Sequence, residues 1–183
     1  MDALDNILLR VSARELKEPC PTPSEMETVY RAALRAPDHA WLRPSSFIEV
    51  TGKSLKKLST IFENFGRSLP DISPEIIEKY KNAPFRAPMI IILVSTTKDH
   101  PKVPAIEQKL STAAAAQNII LALNAMSYGA IWRTGKFAFN TSIQKEIGLN
   151  ANQEILGYLY VGTTEGTNKK VPDMNIKDFV SKL

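Results

Sequence analysis

The spacing of hydrophobic residues predicts a chain built mainly of helices, with a few short strands between them. Leu4, Ile7 and Leu8 recur at helical spacing, and a similar periodicity continues in later segments. We expect helices at Asp2–Leu9, from Thr22 to about Ala36, around Leu55 to Gly66, from Ser73 to before Pro84, from about Pro104 to Ser127, at Thr141–Ile147 and at Ile176–Lys182.

Residues at the helix ends support this assignment. Thr22-Pro23-Ser24-Glu25 forms a capping box with proline at the first helical position. Pro37 stops the same helix near Ala36, since the residue before a proline disfavours helical geometry. Gly129 follows the long helix and ends it.

Strands are expected where β-branched and apolar residues cluster, at Phe47–Thr51, Met89–Ser95, Ala130–Arg133 and Ile155–Val161. The second of these is almost wholly apolar, which is typical of a central strand buried on both faces. Strands separated by helices indicate an α+β or α/β fold of three layers, with the long helix packed on one sheet. A length of 183 residues suits a single domain over residues 1–183.

Composition excludes several classes of protein. The hydrophobic fraction of 44% and the charged fraction of 23% are ordinary for a soluble globular protein. The net charge is 23 − 19 = +4, and the bases form no run, so no nucleic-acid partner is expected. Cys20 has only His39 and His100 as possible co-ligands, so neither an internal disulfide nor a zinc cage is expected. Polar residues interrupt the apolar stretch 113–126, which indicates a buried helix and no membrane span.

The two chain ends bear on localisation. Met1 to Arg10 carries acidic residues in an amphipathic pattern, unlike a signal peptide, so we expect a cytoplasmic protein. Ser181-Lys182-Leu183 matches a peroxisomal address, but a chance match at the end of a solvated helix is the simpler interpretation.

Several common catalytic motifs are absent from the sequence. It contains neither Gly-x-Gly-x-x-Gly nor a P-loop, and it offers no convincing Ser-His-Asp set or metal-ligand cluster. If the protein is an enzyme, we expect a bound cofactor to supply its chemistry.

Four short segments are candidate ligand contacts. Arg10-Val11-Ser12 suits a phosphate monoester because a guanidinium donates two parallel hydrogen bonds, although a solvated helix end is the simpler interpretation. Arg35 and His39 either offset a helix dipole or face a ligand. The five small residues Thr112–Ala116 either let a flat ring approach closely or serve core packing. The segment Trp132-Arg133-Thr134-Gly135 is either a ligand-binding loop or part of the core.

An ordered set of motifs runs from Met1 to about Pro172. The motifs are Met1-Asp2-Ala3-Leu4, Arg10-x-Ser12, Arg35-Ala36-Pro37-Asp38-His39, Asn82-Ala83-Pro84-Phe85-Arg86-Ala87-Pro88, Lys102-Val103-Pro104, Glu107, Gly129-x-Ile131-Trp132-Arg133-x-Gly135 and Gly157-x-Leu159-Tyr160-x-Gly162. Each is weak alone. Together they resemble the nitroreductase family, and within it the small YdjA-like branch.

The resemblance implies a nitroreductase-like α+β fold, a three-layer α/β/α sandwich with a central mixed sheet. It also implies an intertwined homodimer with FMN bound at the interface. NAD(P)H would reduce the flavin and leave, and a nitroaromatic, quinone or related small molecule would then take the electrons. Because the flavin carries this chemistry, no catalytic side chain is expected.

The same resemblance assigns residues to the cofactors. Arg10, Val11 and Ser12 would contact the ribityl phosphate region, and Arg35 and His39 would contact FMN from the opposite subunit. The pocket would be completed by Ile131, Trp132 and Arg133. Nicotinamide contacts are implied along Leu121, Ala122, Leu123, Asn124, Ala125 and Met126.

The sequence also departs from the family pattern. Val11 stands where many relatives have a second basic residue, and Arg14 is near enough to replace it. Arg14 and Arg133 are candidates for a positive group near N1 of the reduced flavin. Arg43 and Ser45 stand where glutamine and tryptophan are usual, which leaves the acceptor open. A non-catalytic FMN-binding protein for storage or sensing is an alternative, as is a structural protein without flavin.

Overall fold

The computed structural model describes residues 2–165 and 169–183, so Met1 of the first motif lies outside the described residues. The helices are α1 (Ala3–Leu9), α2 (Pro23–Ala33), α3 (Lys53–Arg67), α4 (Pro74–Lys81), α5 (Ala105–Ala125), α6 (Gly135–Ala138) and α7 (Thr141–Ile147). The strands are β1 (Ser45–Thr51), β2 (Met89–Thr96), β3 (Gly129–Arg133) and β4 (Gln153–Gly162). Most helices and all the strands expected from the sequence are confirmed.

The four strands form one sheet in the order β1-β2-β4-β3. All pairings between these strands are antiparallel. The described strands of a single chain therefore do not form the mixed sheet expected from the resemblance. β4 lies between β2 and β3, and an irregularity at Leu93 and Val94 shifts its register against β2.

Hydrophobic clusters on both faces of the sheet create the three layers. On one face, Met89, Ile91 and Leu93 pack with α2 and α5. On the other face, Ile90 and Ile92 pack with α3 and α7. Alternation along β2 supplies both clusters, because successive side chains of a strand point to opposite faces. The α+β fold with a central sheet between helical layers is confirmed.

The prediction of a C-terminal helix at Ile176–Lys182 is wrong. The structure has only a short 3-10 turn at Ile176–Asp178. Ile176, Phe179 and Val180 are 67%, 67% and 64% exposed, so this segment buries little apolar surface within the described chain. A helix this short is unstable without tertiary packing.

Smaller differences concern helix ends and one additional helix. α2 ends at Ala33, earlier than the expected Ala36, because the chain bends at Leu34. The short helix α6 was not expected from the sequence. Within residues 2–165 and 169–183, no helix is long and apolar enough to cross a bilayer.

Candidate functional site

The segment Arg10–Ser12 lies beside the outer edge of β3. α1 ends because the backbone of Arg10 is extended, with φ −60° and ψ 132°. Three residues later, the Ala13 backbone N–H donates to the carbonyl oxygen of Ala130 at 3.1 Å. A Cβ on Gly129 would lie 2.9 Å from the Ala13 Cβ, so glycine permits this close approach. The fold thus brings Arg10–Ser12 to the strand that carries Ile131–Arg133.

Two arginines near this edge are not neutralised within the described chain. Neither Arg10 nor Arg14 forms an ion pair there, whereas Arg31 and Arg67 each pair with a glutamate one helical turn away. Lys169 joins the group, because its Nζ donates to the Ser12 carbonyl oxygen at 3.3 Å. Sequence reasoning missed Lys169 because 157 positions separate it from Ser12. Unpaired cations beside a serine suit an anionic group such as a phosphate monoester.

A second polar group lies at the amino end of α5. The Nδ1 of His39 lies 2.7 Å from Oε2 of Glu107, and both side chains are about half exposed. These two residues line a cavity of about 320 Å³ together with Leu110, Ser111 and other neighbours. Arg35 lies nearby in sequence, on the exposed turn that follows α2. The segment from Arg35 to His39 therefore meets α5, which the sequence motifs alone did not indicate.

The loop after His39 has an unusual backbone. Ala40, Trp41 and Arg43 have φ values of 57°, 53° and 52°, a region that non-glycine residues rarely adopt. The carboxylate of Asp38 holds the loop by accepting from the backbone N–H groups of Leu42 and Arg43 at 3.0 and 2.9 Å. The Trp41 side chain is 78% exposed, and the Arg43 guanidinium carbon lies 5.5 Å from its ring centroid. This loop presents a large aromatic surface to solvent.

The two candidate groups lie far apart in one chain. Asn6 of α1 donates from Nδ2 to the carbonyl oxygen of Leu121 at 3.0 Å, near the carboxyl end of α5. His39 contacts Glu107, near its amino end. At 1.5 Å per residue, Glu107 and Leu121 are roughly 21 Å apart along the helix. A single subunit therefore does not bring Arg10 and His39 together.

The expected pocket residues on β3 do not share one face of the sheet. Trp132 packs on the cluster with α2 and α5, and its Nε1 donates to the Leu156 carbonyl oxygen at 3.3 Å. Ile131 packs on the opposite cluster. The Arg133 guanidinium carbon lies 5.4 Å from the Tyr160 ring centroid. Strand alternation separates these side chains.

Gly157 makes room for the Trp132 indole. Its φ is +150°, and a Cβ there would lie 2.7 Å from Cδ1 of Trp132. The glycine of the last sequence motif is therefore explained by packing between β3 and β4.

The expected nicotinamide segment forms the last turn of α5. Leu123 is fully buried in the core. Asn124 donates from Nδ2 to Oδ1 of Asn6 at 2.6 Å, which holds α1 against α5. This stretch contributes to helix packing, and its nicotinamide role stays a prediction.

Comparison with known proteins identifies the family. The Nitroreductase family model matches residues 7–163. The chain is 35% identical over 176 residues to the Escherichia coli K12 protein named "Putative NAD(P)H nitroreductase YdjA", covering 94% of this chain and 96% of that protein. It is 32% identical over 185 residues to a Haemophilus influenzae protein with a similar name, covering 100% of both chains.

Solved structures share the fold. A nitroreductase-like family protein from Bacillus cereus aligns with a TM-score of 0.86 at 20% identity, covering 100% of this chain and 96% of that one. The structure titled FMN and NADPH-dependent nitroreductase NfnB, from sphigopyxis sp. strain HMH, aligns with a TM-score of 0.78 at 15% identity, covering 100% and 99%. The motifs, the fold and the near-complete coverage by relatives agree, and the chain belongs to the nitroreductase family of oxidoreductases.

Proposed function

We propose that this protein is an FMN-dependent oxidoreductase that takes hydride from NAD(P)H and passes electrons to a nitroaromatic, quinone or related acceptor. Its relatives carry NAD(P)H nitroreductase names over almost the whole chain. A structural neighbour is titled as FMN- and NADPH-dependent. The observation that carries the proposal is the set of unpaired cations beside Ser12, which suits the phosphate of FMN.

The residues around Ser12 fit a bound phosphate by their chemistry. Arg10 is half-buried and Arg14 is exposed, and neither has an ion-pair partner in the described chain. Val11 supplies no charge, and Lys169 at Ser12 takes the place of the second base of many relatives. Desolvating a phosphate requires paired donors, because an unpaired buried charge costs several kcal/mol. We therefore assign Arg10, Ser12 and Lys169 to hold the phosphate.

We further propose that the complete site forms between two copies of the chain. Arg10 follows α1, which contacts α5 at Leu121, whereas His39 contacts α5 at Glu107, and these two α5 residues are roughly 21 Å apart by helical rise. The outer surface of α1 carries Leu4, Leu8 and Leu9, which are 66%, 65% and 60% exposed. Burying these side chains against a partner is favourable, at about 25 cal/mol per Å² of apolar surface. A homodimer would bring Arg35 and His39 of one subunit to the FMN held by Arg10 and Ser12 of the other.

FMN, when bound, supplies reversible hydride transfer, which no amino-acid side chain provides. The chain's own residues bind and orient the group and exclude water from it. Arg10, Ser12 and Lys169 hold the phosphate end. For the positive group near the ring we propose Arg14 ahead of Arg133, because the Arg133 guanidinium packs on Tyr160.

The absorption spectrum of the purified protein tests the proposal. After incubation with FMN and gel filtration, we expect a bound flavin spectrum at one FMN per chain. NADH or NADPH added without oxygen should bleach it within seconds to minutes, and a nitroaromatic should restore it. A colourless protein would refute flavin binding. A bound flavin that neither NADH nor NADPH reduces would instead support a storage or sensing protein.

A further inference from the structure

The loop between His39 and Ser45 presents an aromatic side chain and a cation that the proposed phosphate site does not use. The Trp41 side chain is 78% exposed, and the Arg43 guanidinium carbon lies 5.5 Å from the centroid of its ring. At this distance a cation is attracted by the negative face of an aromatic ring. The pair therefore holds a flat apolar surface and a positive charge side by side at the surface of the subunit.

Contacts from two directions hold this loop in shape. The Asp38 carboxylate accepts from the backbone N–H groups of Leu42 and Arg43 at 3.0 and 2.9 Å. From the segment after β2, Lys98 donates from Nζ to the Leu42 carbonyl oxygen at 2.6 Å. These bonds maintain the positive φ angles of Trp41 and Arg43. Such angles cost free energy in non-glycine residues and are concentrated at ligand sites, so the loop is built to present both side chains.

Arg43 is available to an anion. It forms no ion pair within residues 2–165 and 169–183. Both oxygens of Asp38, the acidic residue of this segment, already accept from the backbone. Lys98 places a second positive charge beside Leu42. Because positive charge at a surface attracts anionic ligands, the loop favours a negatively charged aromatic molecule over a neutral one.

We propose that Trp41 and Arg43 select among electron acceptors and favour an aromatic acceptor that carries a negative charge, such as a nitrobenzoate. The acceptor ring stacks on the exposed face of the Trp41 indole, and the Arg43 guanidinium attracts its carboxylate. This inference rests on the proposed function, which places His39, two residues before Trp41, at the flavin of the other subunit. Neither side chain takes part in hydride transfer, so both act on which acceptor binds.

Steady-state kinetics of the FMN-loaded protein with saturating NADH or NADPH test this selection. The acceptors are para-nitrobenzoate and its neutral analogue para-nitrobenzamide. At low ionic strength the KM for para-nitrobenzoate should be lower by about fivefold, which is the size expected for one exposed charge pair. High salt should reduce this difference, since salt screens exposed charges.

Two variants separate the charge from the ring. Arg43→Gln should raise the KM for para-nitrobenzoate by about fivefold and leave that for para-nitrobenzamide unchanged. Trp41→Ala should raise both KM values, because both acceptors lose the stacking surface. Bleaching of the flavin by NADH or NADPH should be unchanged in both variants. Arg31→Gln removes an exposed cation of α2 and Phe139→Ala an exposed ring outside the loop, so neither control should change either KM.

Equal KM values for the two acceptors in the wild-type protein would overturn the charge preference while leaving the proposed oxidoreductase activity intact. The same conclusion follows if Arg43→Gln with wild-type FMN content changes both KM values alike. Unchanged KM values in Trp41→Ala with a wild-type melting temperature would overturn the stacking role. A bound flavin that neither NADH nor NADPH bleaches would refute the proposed function itself, and the acceptor preference would fall with it.

Discussion

Replacing Arg10 by alanine tests the placement of the FMN phosphate. Arg10 is half-buried at the end of α1, and no described residue neutralises it. A phosphate monoester carries about −1.5 to −2 charges at neutral pH. Arg10→Ala should therefore remove the main partner of that charge. The fold should survive, because Arg10 lies at a helix end and outside both core clusters.

The size of the effect follows from the burial of Arg10. Truncating one partner of a buried charge pair costs about 2–5 kcal/mol. Since Arg10 is only half-buried, solvent screening lowers the expected cost of Arg10→Ala to the lower end of this range, about 2 kcal/mol. At 1.4 kcal/mol per tenfold, FMN binding should weaken roughly 30-fold. Lys169, which lies at Ser12, should keep part of the affinity.

FMN titration followed by quenching of flavin fluorescence measures each dissociation constant. Lys53→Ala is a suitable control, since Lys53 is exposed at the start of α3. Lys169→Ala alone should weaken binding less than Arg10→Ala, and the double variant should lose more than either. If the FMN dissociation constant of Arg10→Ala lies within about threefold of the wild-type value, a difference of about 0.6 kcal/mol, the phosphate lies elsewhere.

Three further predictions concern stability and reactivity. Gly157→Ala should lower the free energy of unfolding by about 1–3 kcal/mol, because its Cβ would overlap the Trp132 ring. An unchanged urea midpoint would contradict this packing. Hydrogen bonds from Thr22 lower the pKa of Glu25 below 4.5, so its stabilisation is present at neutral pH and is lost as acid protonates it. Glu25→Gln should therefore make the free energy of unfolding less sensitive to pH between about 5 and 3. An equally steep pH dependence in the variant would show that the Glu25 carboxylate does not contribute to stability in this way. Burial and the nearby Glu18 raise the pKa of the Cys20 thiol, so less of the reactive thiolate is present in the native protein. Iodoacetamide at neutral pH should therefore label Cys20 faster in urea than in the native protein. Equal labelling rates would contradict this prediction.

The parts of the fold that depend on neighbouring residues could be predicted from the sequence. The capping box at Thr22 and Glu25 is present in the structure. The apolar run in β2 is buried on both faces, as expected. α4 begins at Pro74, after Ser73, as the sequence indicated. These features arise from contacts within one turn or one strand, which the local sequence determines by itself.

Tertiary structure decided what depends on distant residues. The position of β4 between β2 and β3 follows from pairing across many residues, and no local pattern encodes it. The segment Ile176–Lys182 has helical periodicity, but it lacks an apolar surface to pack against within the described chain. Periodicity alone does not stabilise so short a helix.

The same distinction holds for the candidate site. The sequence alone determined the chemical types, an arginine and a serine suited to phosphate and a histidine beyond α2. Only the folded chain showed that Lys169 reaches Ser12 and that strand alternation separates Trp132 from Arg133. It also placed Arg10 and His39 at opposite ends of α5. Side-chain chemistry is a property of each residue, whereas proximity depends on how distant segments pack, so the sequence supplied the groups and the tertiary structure decided which of them meet.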